Sequence, residues 1–409
     1  MALRVGVRGW IEMRFSTITD KITLLSIFLF LQYVFWFQYA VGEIDWFLTV
    51  VGLVMILCIF LRGKLNLDIV KKSAFVFVYM FSILLSCLLF PLNRSISMDY
   101  YSRILRYLIP FIAICLYVGT SYERAKLIYL SLCVSGFFLS ISLFLTGEYN
   151  LLLGGVAMGD LNPNVFSSYA LAGLLGSLSL LNCTNKKSLR VLLIISIIID
   201  SKAQVQAGSR RGILVFILVL LLYLFAATIL KYKKNDIAKL LMAIVGIVAV
   251  FIIIFDFSII VPGYNNLSQL LSIRTAGDYN RSMYQKVALE LFLQQPIFGN
   301  GLGSVGQVAG VYSHSLYFEN LACNGVVGLL LLTIPLLNII RSSRKAIKQN
   351  FLSTEIKMQN GTLIITVLAL LITGIAVAFI YDAIFYLFLA FIVSSRSATA
   401  NYTFEKEQE

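Results

Sequence analysis

Apolar runs of about 17 to 22 residues recur along the whole chain, and each, as a helix, is long enough to cross a hydrocarbon core of about 30 Å. Within such a core every backbone N–H and C=O must be paired inside the protein, which leaves helices as the natural form for runs of this length. Charged residues make up only 13% of the 409-residue chain and hydrophobic residues 59%. A soluble domain would carry roughly twice that charged fraction. The expected fold is therefore an all-α polytopic membrane protein, a single integral membrane domain over residues 1–409. Spans are expected near 22–40, 46–61, 74–91, 104–120, 125–145, 164–181, 189–203, 211–230, 238–256, 314–337, 362–379 and 380–396. Arg4, Arg8 and Arg14 lead into a full-length first span rather than the short apolar core of a cleavable signal.

Twelve spans put both termini on one side, and loop charge says which. The 33 Lys and Arg residues divide 24 to 9 between the two faces, and the rich face is expected to be cytoplasmic. The net charge of +13 thus orients the protein; no spare basic domain is left to bind nucleic acid. Internal repeats are absent. The six cysteines have no metal spacing, and one histidine without a Cys/His cluster leaves nothing to hold zinc. No cofactor is expected.

The poor face holds two long connections. One, 146–163, ends in Asp160, Leu161, Asn162 and Pro163, where Asn162-Pro163-Asn164 suits the cap of the sixth span. The other, 257–313, is far longer than a connector needs, and such loops tend to carry function. After Asp278 and Asn280, both plausible caps, Met283, Val287 and Leu291 run beside Tyr284, Ala288 and Phe292 at helical spacing. Pro296 should stop this amphipathic helix, and Gly299, Gly301 and Gly303 should turn the chain back toward the tenth span. The tail from Phe404 to Glu409 reads as a disordered end.

The basic residues that break the charge rule are Arg94, Arg103, Arg106, Lys202, Arg210, Arg211, Arg274, Arg281 and Lys286. A solitary one would simply snorkel at the interface. Arg210 and Arg211 instead open a span, where unpaired N–H groups and the positive end of the helix dipole add to their charge. Guanidinium groups grip phosphate oxygens in pairs, so these two, with Arg281 on the amphipathic helix and Arg274 before it, suit an anionic headgroup such as a pyrophosphate. His314, the single histidine, lies where the long loop re-enters the membrane, and a group titrating near neutrality suits proton transfer from a hydroxyl. Glu319, five residues on, is not quite on the same helical face and is a weak candidate for orienting the ring. Asp382, in the turn between the last two spans, reads as structural.

In this order the motifs resemble the bacterial family of O-antigen polymerases and O-antigen ligases, C-type integral membrane glycosyltransferases. Ser209-Arg210-Arg211-Gly212 matches a Ser-Arg-Gly segment opening a span. Arg281, Tyr284, Pro296, Gly299 and Gly301 match an Arg-aromatic-Pro-Gly-x-Gly series, and His314, Gly325 and Gly328 match a His-headed helix ending in Gly-x-x-Gly. Ser315 stands where the family often has Asn after the His. The resemblance implies an inner-membrane enzyme, metal-independent and inverting, with its site facing the periplasm. Its donor would be a glycan on undecaprenyl pyrophosphate, its surroundings membrane lipid, and a chain-length regulator protein a further partner. Arg210, directly after Ser209, and Arg281 would stabilise the leaving pyrophosphate, helped by Arg211 and Arg274. His314 would act as base or acceptor-orienting group, and Tyr284 and Asn164 would contact substrate. Within that reading the acceptor is another lipid-linked repeat unit in a polymerase or lipid A-core in a ligase. A flippase or other transporter is the non-enzyme alternative, and would be expected to show repeat symmetry and midplane charges.

Overall fold

The computed structural model describes residues 18–40, 45–62, 67–119, 121–150, 155–157, 161–231, 276–349 and 351–407. Among these, the long helices are α1 (Ile18–Phe37), α2 (Asp45–Arg62), α3 (Leu67–Leu89), α4 (Arg94–Val118), α5 (Tyr122–Thr146), α6 (Pro163–Cys183), α7 (Lys187–Gln206), α8 (Arg210–Lys231), α9 (Ala276–Gln294), α11 (Leu316–Ile347), α12 (Thr354–Gly374) and α13 (Ala383–Glu407); α10 (Ser304–Ala309) is a short helix. Nine helices among the described residues are long and apolar enough to cross a membrane. In α2 the apolar stretch Trp46–Cys58 is shorter, and α7 carries Arg190, Asp200 and Lys202 along its 20 residues. The chain is a multi-pass helical membrane protein. The expected span at 238–256, and with it residues 257–275 of the long loop including Arg274, lies outside the described residues.

Packing explains the close pairs. The α5–α6 crossing depends on glycine: a Cβ on Gly136 would stand 2.6 Å from the Cα of Gly173, and the reverse contact would be 2.7 Å. Gly176 presses on the Tyr129 carbonyl in the same seam, at 2.7 Å from an added Cβ. With no hydrophobic drive between helices in lipid, such small-residue approach is what lets them pack. Asp200 of α7 lies fully buried behind this crossing, where Ser140 Oγ donates to Oδ1 at 2.7 Å. Helices α12 and α13 form the centre, touching α8, α6, α4 and α3 around them.

The loops of one end of the bundle are stitched together. Connection 146–163 contains a short antiparallel hairpin, β1 (Glu148–Asn150) with β2 (Gly155–Ala157), which helical periodicity does not foretell. Asn162 caps α6 as expected, its Oδ1 accepting from the Asn164 N–H at 2.9 Å with Pro163 in the first turn. Helix α9 is described from Ala276 onward, so Asp278 and Asn280 lie within it rather than capping it. It ends at Gln294, ahead of Pro296. Its bundle face is Tyr284, Val287, Ala288, Leu291 and Phe292, with Met283 turned out at 46% exposure.

Two further expectations are revised. The last helix runs to Glu407 instead of ending in a disordered tail from Phe404, because residues 383–407 keep an unbroken helical ladder. The last two spans do not abut near 379–380. An eight-residue connection, 375–382, separates them and holds a 3-10 turn, Phe379–Tyr381.

Candidate functional site

The site is organised by a break in α11. Gly325 sits at φ +64° and ψ −167°, interrupting the helix, and a Cβ there would meet the Ile297 carbonyl oxygen at 2.2 Å. Breaking a helix strands donors and acceptors inside the protein. The segment after α9 answers four of them: Val326 and Val327 N–H donate to the Pro296 and Ile297 carbonyls at 2.9 and 3.2 Å, and Asn300 and Gly301 N–H donate to the Ala322 and Cys323 carbonyls at 2.9 and 3.0 Å. The glycine-rich return is thus a strand-like insert laid into a split helix. Its glycines sit at φ +72° (Gly299), +80° (Gly301) and +74° (Gly303), and Gly303 lies so close to the Tyr100 ring that a Cβ would be 2.5 Å from it.

Beyond α10 the chain reaches His314, the one non-glycine residue at positive φ (56°) among the described residues. Its half-buried ring lies 4.5 Å from that of Tyr312 and 6.0 Å from that of Tyr284 on α9, centre to centre. Burial, then the charge of Arg281, then that of Arg211, push His314 down from 6.5 to about 4. The imidazole is therefore neutral at pH 7, and two guanidinium groups from separate helices, α9 and α8, lie near enough to disfavour its protonation. This revises the expectation of a group titrating near neutrality.

Helix α8 begins where expected. Gly208 (φ +74°) turns the chain, and Ser209 caps the helix, its Oγ accepting from Gly212 N–H at 3.1 Å and donating to Asn164 Oδ1 at 2.8 Å. Asn164 is thereby spoken for by α8's cap. Arg211 reaches across to the 375–382 connection, with Nη1 donating to the Ala376 carbonyl at 3.3 Å. The Arg210 side chain and Arg274 lie outside the described residues. Of the sequence candidates, the structure gathers His314, Tyr284, Arg281 and Arg211 at one end of the bundle, with Asn164 one helix away. Arg103, by contrast, pairs with Asp99 at 2.7 Å on an exposed face, and Lys202 sits over the Phe144 ring at 5.7 Å.

Tyr312 was not marked from the sequence, whereas Asp382 and Glu319, read there as structural and as a weak orienter of the ring, belong to the same neighbourhood. Tyr312 lines the His314 ring, and its phenol is raised by burial, by Asp382 and Glu319, and lowered by Arg281. Asp382 carries a carboxyl that burial pushes up to about 7. Glu319 is fully buried and bonded on both oxygens, to Ser313 N–H and to Tyr381 Oη, each at 2.7 Å. An aromatic two residues before the only histidine was a visible signal for Tyr312. Nothing local marked Tyr381 or gave Asp382 a part in the site; both arrive from the far end of the chain. No protein-family model and no curated protein sequence matches this chain.

Proposed function

We propose that this protein is a polymerase of lipid-linked oligosaccharide repeat units, of the O-antigen or a related surface-polysaccharide type. It would act at the periplasmic face of the bacterial inner membrane on a glycan carried by undecaprenyl pyrophosphate. One observation supports this reading above the rest: cations from α8 and α9 converge on the only histidine, at the end of the bundle where basic residues are scarce and a capped helix begins. A pyrophosphate seated there would receive Arg281, Arg211 and the N-terminal dipole of α8 together. Arg211, whose charge acts on His314, is the residue we assign to it here.

In this chemistry an acceptor sugar hydroxyl attacks the anomeric carbon. The new C–O bond forms as the bond to the pyrophosphate oxygen breaks, the leaving group takes the electron pair, and the configuration inverts. The arginines stabilise the charge that develops on the pyrophosphate, each worth roughly 10²- to 10³-fold in rate. The hydroxyl proton passes to His314 Nδ1 or Nε2. The donor itself prepares that step, since its negative charge offsets the two guanidinium groups that depress the imidazole. Tyr284 and Tyr312 offer aromatic faces on which a sugar ring can lie.

A ligase uses the same chemistry with lipid A-core as acceptor, so the deciding experiment separates products. Deletion of the gene followed by glycan analysis should leave single repeat units attached to core while long chains vanish. Loss of all attached repeats would turn the reading to a ligase or to a flippase, and unchanged glycans would remove all three.

A further inference from the structure

We infer that Glu319 is the positioning residue of this site: it holds the 312–314 loop in the left-handed turn that aims the His314 imidazole at the Arg281–Tyr284 face of α9. The consequence for catalysis rests on the function proposed above; the positioning itself does not.

A residue with a Cβ enters the left-handed region at a cost, and stays there only when its surroundings leave no alternative. Around His314 the constraint is closed on both sides. Ser313 Oγ donates to the Ser315 carbonyl at 3.0 Å and accepts from Ser315 N–H at 3.4 Å, pinching the loop around the histidine. Ser315 is tied to α12 through its own Oγ, which donates to the Gly374 carbonyl at 3.5 Å. The remaining fastening is Glu319 Oε2, which accepts from Ser313 N–H at 2.7 Å. Without it the loop could swing back to extended backbone and carry the imidazole away from α9.

The other carboxylate oxygen couples this loop to two more segments. Tyr381 Oη donates to Glu319 Oε1 at 2.7 Å and itself accepts from Gly303 N–H at 3.0 Å. One buried side chain therefore ties together the His314 loop, the glycine return and the connection that bears Asp382. Removing a buried carboxylate that satisfies a backbone donor already leaves that donor unpaired at a cost. Here the two oxygens accept in two directions, from segments that must keep register with one another.

Because the chain has one histidine, the imidazole signal of full-length protein labelled with ¹⁵N-histidine reports this loop alone. The groups acting on His314 are Arg281 from α9 and Arg211 from α8, with Tyr312 beside it on its own loop. In Glu319→Ala the ring should move off both arginines, and its titration should rise from about 4 by about one pH unit or more. Glu319→Gln keeps an oxygen for Ser313 N–H and should stay near the wild type. Tyr381→Phe loses one of the two bonds while retaining the ring against Tyr100, and should shift the titration upward by less than Glu319→Ala; it also serves if the alanine variant does not fold. An unchanged titration in folded Glu319→Ala, or in Tyr381→Phe where only that variant folds, overturns the proposal. In a polymerisation assay Glu319→Ala should lower kcat by roughly 10-fold or more with KM for the lipid-linked donor kept, and Glu319→Gln should recover most of it. A titration that moves while kcat does not would keep the positioning role and remove His314 from catalysis.

Discussion

At the scale of single residues, His314 is set between burial and two cations, and its behaviour can be worked out with sign. Its pKa of about 4 in the folded protein lies below the ordinary 6.5. Protonation therefore opposes folding: the contribution to stability is complete above about pH 6.5 and is lost as pH falls toward 4. Adding pyrophosphate to the labelled protein should raise the imidazole titration, because the anion offsets Arg281 and Arg211; no movement at saturating pyrophosphate would place the anion elsewhere. The arginines separate charge from geometry. Arg211→Ala and Arg281→Ala should each abolish polymer in cells and raise the His314 titration. Lysine at either position should leave the titration low yet restore polymer only partly, since it cannot grip two oxygens at once. Wild-type chain lengths in both alanine variants would end the assignment. His314→Ala should cost roughly 10²-fold or more in rate, and His314→Gln, which hydrogen-bonds but takes no proton at neutral pH, should be as inactive if the ring is the base and substantially active if it only orients the acceptor.

At the scale of elements, the break in α11 and the insert that fills it stand or fall together. Gly325→Ala would drive a methyl into the Ile297 carbonyl and force a left-handed residue to bear a Cβ, at a cost of about 1–3 kcal/mol. Gly306 in α10 has nothing within 4 Å of an added Cβ, so Gly306→Ala is the matched control. The expected outcome is a lower melting temperature in detergent and loss of polymer for Gly325→Ala, and neither for Gly306→Ala. Equal melting in both variants would mean that the split helix is not what organises this end.

For the molecule as a whole, the sign of the loops decides which way the site faces. Val308 is 59% exposed at the site end, and Lys348 is exposed at the opposite end beyond α11. The native cysteines give little background, with five of six buried and Cys183 half-buried. Val308→Cys should react with an impermeant thiol reagent in cells whose outer membrane is permeabilised, and Lys348→Cys only after the inner membrane is lysed. The reverse pattern would turn the protein over and place the site in the cytoplasm.

Hydrophobic run length is a local property. Ends such as Arg94 of α4 and Ile347 of α11 extend well beyond the apolar runs, but the apolar helices among the described residues could be read directly from the chain. The same holds for the Asn162 cap, the Ser209 helix start, the α9 stop before Pro296 and the three-glycine return, each written in residues a few positions apart. The site could be read only in part. His314, Arg281 and the Arg210-Arg211 pair stand out as polar groups in the wrong place, but their mutual approach depends on how α8, α9 and α11 pack. Where the Arg211 side chain lies depends on a carbonyl 165 residues away, at Ala376. The acidity of His314 is likewise a property of the assembled neighbourhood, since burial and two distant guanidinium groups set it. Glu319 was misjudged for the same reason. Helical spacing from His314 made it a weak candidate for orienting the ring, while the tertiary structure alone decided that it holds the backbone on which the ring is mounted.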